Sequence, residues 1–252
     1  MLRVNKHEFR LTNHHIPKQD SLIVTELSKG PRIVIQRHGE IGYVRIPHMP
    51  FVEQTQIDKY ANMLNDSVCK VSSVGVKAWI VDLRMNAGGN FRPMLAGIAS
   101  LLCDGILGGF VNSDGKTSEV FELRNGQLFI NDNQEVTVSR IFKQNCQLPM
   151  AVLIGSSTGS SGEVTAIVLT GRSTTKFFGQ PTFGMANSTQ GFYLSNKQIY
   201  ILLTTAQLKN SKGKKFNNRV LPDQTFKHSI QLNLENDKLV EVAEKWLSSQ
   251  MK

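Results

Sequence analysis

The pattern of apolar and polar positions changes character several times along this chain. Up to the breaker Gly30-Pro31 the residues are polar, rich in histidine and without a clear period, which predicts an N-terminal arm (residues 1–30) set apart from one core (31–252). From there Ile33-Val34-Ile35-Gln36, a turn around His38-Gly39-Glu40 and Ile41-Gly42-Tyr43-Val44-Arg45-Ile46 predict a β-hairpin stopped by Pro47 and Pro50. Between Gln54 and Ser72 the apolar residues Ile57, Tyr60, Ala61, Leu64, Val68 and Val71 recur at helical spacing and lead into the apolar run Ala78–Leu83. That is a strand–helix–strand unit.

Further along, Pro93–Leu102 is apolar and helix-compatible, with Pro93 acceptable in a first turn. Val111, Val120–Leu123 and Leu128–Ile130, joined around Asn125-Gly126, predict a small meander. Met150–Ile154 reads as a buried strand, Val164–Leu169 as a buried helix, Lys176–Gly179 and Gln198–Thr204 as further β structure, and Asp237–Leu247 as a closing helix. No repeat or linker divides the core, so the fold class expected is α/β, with mixed sheets and packed helices.

Composition narrows the classes. At 252 residues, with 40% hydrophobic and 19% charged residues, the chain is long enough for one substantial core. Its apolar runs are far shorter than the ~20 residues of a membrane span, and Met1–Arg10 carries charges where a signal segment would be apolar. The net charge of +9 is spread out. Its one dense cluster, Lys209–Lys215, reads as a solvated hairpin tip without interleaved aromatics, so no nucleic-acid partner is expected. Cys69, Cys103 and Cys146 are too few and too scattered for a disulfide framework or a zinc site and read as small core residues.

Two strand-end motifs carry chemistry. Ser157-Thr158-Gly159-Ser160-Ser161-Gly162-Glu163 follows the run Met150–Ile154, where small residues let the backbone bend and a helix start presents a serine. The same pattern also suits a Ser/Gly loop whose hydroxyls cap a helix. Asp82-Leu83-Arg84-Met85-Asn86-Ala87-Gly88-Gly89-Asn90 ends the other strand, and its glycine pair offers bare N–H groups to a developing oxyanion. Together the two motifs suggest an acyl-transfer site.

These motifs, followed by Phe178-Gly179-Gln180-Pro181-Thr182-Phe183-Gly184 and Val220-Leu221-Pro222-Asp223, stand in the order found in the C-terminal-processing (tail-specific) serine peptidase family, which the chain resembles from about Arg32 to Trp246. Gly88–Gly97 and Thr158–Glu163 make it most similar to the nisin-resistance-protein-like branch, which has no PDZ domain. The resemblance implies a ClpP/crotonase-like peptidase core with an N-terminal hairpin, a peptide or protein substrate cut near its C-terminus, no metal or cofactor, and a periplasmic or other extracytoplasmic location.

It also implies roles. Ser160 matches the nucleophile, with Ser161 and Ser157 as alternates. The lysine that serves as base in tail-specific members falls at Met185, whose thioether accepts no proton, and Lys176 lies on the wrong side of the turn. The branch instead uses a histidine from an N-terminal segment, matched by His15 in Thr12-Asn13-His14-His15-Ile16-Pro17. An imidazole suits that role, with an unperturbed pKa near 6.5. Oxyanion donors are expected from the backbone of Gly88 or Gly89 and of Ser161. Asp82, Arg84 and Asn86 are expected to brace their turn, and Glu163 to orient a base or favour the helix N-terminus. His7, His38, His48 and His228 lie outside the motifs. The rival reading is a peptide-binding protein of the same fold without turnover, and a crotonase-type thioester enzyme would leave the serine turn idle.

Overall fold

A computed structural model describes residues 33–141, 146–194, 199–217, 219–227 and 236–251. The chain divides after Gly30, and all described residues belong to the second unit, 31–252. This unit is built on two sheets. The first is ordered β1 (Val34–His38), β2 (Ile41–Arg45), β3 (Ala78–Asp82), β8 (Met150–Ile154), β9 (Thr175–Gly179), β13 (Gln224–Thr225). Its opening hairpin is antiparallel, whereas β2, β3, β8, β9 and β13 run parallel.

The central strands are buried at every position because both faces are covered, and β3 and β8 are apolar apart from the terminal Asp82. Val44, Trp79, Val81, Val152 and Ile154 point into the larger core, which also takes in α1 (Gln54–Ser72), α2 (Phe91–Gly97), α3 (Ser161–Leu169) and the second sheet. Tyr43, Ile80, Ala151, Leu153 and Phe178 alternate to the opposite face. There they meet Leu239, Val240, Ala243 and Leu247 of α4 (Lys238–Gln250), capped by Asp237. The apolar run after Pro93 does not stay helical to Leu102: α2 ends at Gly97, and a 3-10 turn, Ala99–Leu101, follows. Gly97 sits there because a Cβ would come within 2.5 Å of Leu64, so α1 and α2 pack at backbone contact.

The second sheet is ordered β10 (Ser188–Tyr193), β11 (Tyr200–Asn210), β4 (Gly105–Asn112), β5 (Thr117–Arg124), β6 (Gln127–Ile130), β7 (Asn133–Gln134), with β12 (Lys215–Phe216) also on β11. All its pairs are antiparallel. The Asn125-Gly126 turn has positive φ at both residues, as a tight hairpin requires. β10 is absent from the sequence expectation, since Ser188-Thr-Gln-Gly-Phe-Tyr offers no alternation.

The cysteines correct the sequence reading. Only Cys69 is a buried free thiol, and burial pushes its pKa up to about 11. Cys103 and Cys146 form a disulfide across 43 residues of chain, although sequence spacing gave no sign of it. The bond closes the base of the β4–β7 excursion. In the chain-entropy account a loop of this size stabilises by about 4 kcal/mol. Cys103→Ser together with Cys146→Ser should therefore lower stability by up to that amount. An unchanged urea midpoint would contradict the bond.

Candidate active site

β3 and β8 are parallel neighbours, with Asp82 beside Leu153 in register. Their carboxyl ends therefore release two turns side by side, the edge at which open α/β sheets place their sites. Cross-links fix one turn on the other. The Thr158 hydroxyl donates to the Leu83 carbonyl (2.8 Å) and accepts from Gly155 N–H (3.0 Å). Gly159 N–H donates to the Asn86 carbonyl (3.0 Å). Gly88 lies directly against the serine: at φ +112°, a Cβ there would come within 2.8 Å of Ser160 Cβ and 3.2 Å of Ser161 N. A Cβ at Gly162 would stand 2.4 Å from the Asn86 carbonyl. Small residues are required on both turns because the two backbones touch.

The three candidate serines differ in their surroundings. Ser161 is buried and its hydroxyl donates to the Gly89 carbonyl at 2.7 Å. Ser157 is exposed on the preceding turn. Ser160 is exposed and sits at φ +49°, ψ −120°, immediately before the first turn of α3. That is a strained backbone for a residue with a side chain, of the kind that projects a nucleophile from a strand-to-helix turn.

Amide donors adjoin it. Met49 straps the glycine turn, its N–H donating to the Gly88 carbonyl (3.0 Å) and its carbonyl accepting from Asn90 N–H (2.7 Å). Gly88 N–H donates to Asn86 Oδ1 at 3.0 Å, which leaves Gly89 as the member of the pair with an open N–H among the described residues. Among the described residues neither Gly89 N–H nor Ser161 N–H has an acceptor. Two open N–H groups thus stand on the two touching turns, one of which carries the exposed Ser160.

Glu163 is fully buried and organises the rest. Its Oε2 accepts from Ser160 N–H (3.1 Å) and Met185 N–H (2.6 Å), and its Oε1 from the Thr182 hydroxyl (2.5 Å) and Gly184 N–H (2.7 Å). Thr182 also accepts from Val220 N–H (2.8 Å), and Phe183 N–H reaches the Thr158 carbonyl (2.8 Å). The carboxylate therefore clamps the serine turn to the Pro181–Met185 segment. Phe183 and Met185 themselves are exposed beside it.

Behind the glycine turn lies a buried charge network. Asp82 Oδ2 accepts from Tyr43 Oη (2.6 Å), from Arg45 Nε and Nη2 (3.2 and 3.1 Å) and from Arg84 Nη2 (2.7 Å). Its Oδ1 accepts from Arg84 N and Nε, both at 3.0 Å. Burial opposes ionisation, yet the Arg84 and Arg45 guanidiniums outweigh it and hold the carboxyl well below the usual range. Burial first, then the Asp82 charge, push the Tyr43 phenol well up. Arg84 Nη1 also donates to Oδ1 of Asp237 at 3.2 Å, and Nη2 lies in charge contact with its Oδ2 at 2.8 Å. The turn is thereby tied to the cap of α4.

His15 lies outside the described residues. Lys176 is engaged elsewhere, its Nζ 3.2 Å from Gln224 Oε1 and over the Phe178 ring at 5.1 Å. His38 pairs with Glu244 on α4 at 2.6 Å, and His48 is half-buried next to Met49. Among the described residues no cluster of His, Cys, Asp and Glu could hold a metal ion, and no helix is long and apolar enough to cross a membrane.

Similarity to known proteins covers the part of the chain that carries these turns. The model of peptidase family S41 matches residues 40–226. The nisin-resistance protein of Lactococcus lactis subsp. lactis is 34% identical over 198 residues, which is 79% of this chain and 57% of that protein. The chain thus spans a little over half of that curated relative. Among solved structures, a lipoprotein from Streptococcus agalactiae superposes with a TM-score of 0.66 at 24% identity, covering 92% of this chain and 74% of its own. The photosystem II D1 C-terminal processing protease does so with a TM-score of 0.56 at 21% identity, over 84% and 52%. These likenesses show a shared fold.

Proposed function

We propose, from the premise that this chain belongs to peptidase family S41, that it is a serine peptidase acting through a Ser–His acyl-enzyme. The observation that carries the reading is Ser160, exposed on a strained turn that is packed against the glycine turn, with the N–H groups of its neighbour Ser161 and of Gly89 open among the described residues. The Ser160 hydroxyl attacks the scissile carbonyl while His15 takes its proton. The N–H groups of Gly89 and Ser161 hold the oxyanion. Collapse expels the amine, which receives the proton from His15, and water then attacks the acyl-enzyme by the same route. Gly88, at backbone contact with Ser160, and Asn86, which accepts its N–H, keep the donors in place.

The substrate in this reading is an exposed or unfolded polypeptide, cut near its C-terminus as in the processing peptidases the chain resembles. The location is extracytoplasmic. A nisin-resistance protein and a lipoprotein among the similar proteins support it, as does the disulfide, which persists in oxidising compartments.

Labelling with a fluorophosphonate, read by intact mass, tests the mechanism. The expected result is one adduct on the wild-type protein that disappears in both Ser160→Ala and His15→Ala. An adduct lost only in Ser160→Ala would keep the nucleophile and reject His15 as the base. A folded wild-type protein that takes no label would favour a peptide-binding protein without turnover.

A further inference from the structure

Strand β10 has no partner on its outer side among the described residues. The sheet order begins with it, and β12 lies beyond its end, pairing with Leu208 and Lys209 of β11. Natural edge strands are commonly guarded by a lysine, a proline or an inward charge. Ser188-Thr189-Gln190-Gly191-Phe192-Tyr193 contains none of these.

The register says which backbone groups are open. Leu194 N–H donates to the Ile199 carbonyl at 3.0 Å, so that pair is of the hydrogen-bonded kind. Alternation along the same register then turns Phe192 and Gln190 toward β11, paired with Ile201 and Leu203. The N–H and C=O of Thr189, Gly191 and Tyr193 point outward. Exposed apolar side chains flank this row on both faces: Phe192, Leu194 and Leu203 on one, Tyr193 and Tyr200 on the other.

The edge is continuous with the serine turn. Gly184 and Met185 are bonded to Glu163, which holds Ser160 N–H, and β10 starts just beyond them. At ~3.3 Å per extended residue, Thr189 is at most roughly 13 Å along the chain from Met185. We propose that an extended, apolar stretch of a polypeptide substrate adds to this edge as an extra strand and is led by it to Ser160. The inference rests on the peptidase reading and names how that site takes its substrate. Pairing through main-chain groups recognises extension and tolerates sequence. The exposed apolar side chains beside the row select apolar occupants, and an unfolded polypeptide offers such stretches with their main-chain groups unpaired.

The test uses the full chain carrying Ser160→Ala, with fluorescein-labelled β-casein as the unfolded polypeptide. Anisotropy should show binding that weakens at least about tenfold when Thr189→Pro is added, because one outward donor is lost and the ladder is blocked. Amide exchange supplies a readout that does not depend on that variant folding well. Casein should slow exchange at Thr189, Gly191 and Tyr193 at least about tenfold, with Gln190 and Phe192, already bonded to β11, changing little. Casein binding that leaves the three outward amides unprotected would overturn the proposal, as would absence of binding or an edge occupied by a second copy in a concentration-dependent dimer. Failure of the peptidase reading is separable: a wild-type protein that takes no fluorophosphonate while the Ser160→Ala protein still protects these amides would leave the edge standing as a peptide-binding strand.

Discussion

Replacing Glu163 by alanine should destabilise the protein by about 4 kcal/mol or more and abolish fluorophosphonate labelling at Ser160 as the turn around it loosens. Four donors converge on this carboxylate: Ser160 N–H, the Thr182 hydroxyl, Gly184 N–H and Met185 N–H. Each buried donor left unsatisfied costs ~1–3 kcal/mol. For a chain of this size that corresponds to a fall in Tm of roughly 8–16 °C. Glu163→Gln is a sharper probe. Its amide oxygen would serve Ser160 and Met185 if its nitrogen faced Thr182, whose hydroxyl turns to accept, but Gly184 N–H would then meet another donor. The glutamine variant should lie between wild type and alanine in Tm and retain fluorophosphonate labelling at a reduced rate. Equal Tm for all three proteins would show that the clamp contributes nothing.

What was legible in the sequence follows from range. The apolar runs at Ala78–Leu83 and Met150–Ile154 read as buried strands, and the small residues after them marked sharp turns, which the structure brings into backbone contact. Asn125-Gly126 specified its turn locally. Contacts between distant segments left no such trace. As a first-turn acid, Glu163 has an ordinary helix role in sequence, whereas its partners at Thr182, Gly184 and Met185 come from another part of the chain. Cys103 and Cys146 meet only because the β4–β7 excursion returns to its base. Gly88 and Gly89 read as equivalent donors until the Asn86 side chain takes the first of them. β10 escaped notice for a different reason. With both faces exposed it has no inside to impose alternation, and that exposure is what leaves it open to a substrate strand.

Asp82→Asn should cost about 3–5 kcal/mol, the range for leaving buried charge without its partner. Asp82 receives Tyr43, Arg45 and Arg84 on two oxygens that only accept. An asparagine NH2 at either position faces donors, and Arg45 is left buried without its carboxylate. Arg84 keeps Asp237, so α4 stays docked while the turn carrying Asn86, Gly88 and Gly89 loosens. A fall in labelling rate at Ser160 should accompany the loss of stability. The acid limb distinguishes this from a packing defect. Because the folded pKa is held well below the unfolded value of about 3.9, the stabilisation is complete above that value and is lost as pH falls toward the folded one. Wild-type stability should therefore drop steeply below about pH 4, and the asparagine variant, lacking the group, should show a flatter acid limb. Urea midpoints measured from pH 7 down to pH 3 decide it. Parallel acid limbs would mean that Asp82 is not ionised against its two arginines, and the charged brace behind the glycine turn would have to be abandoned.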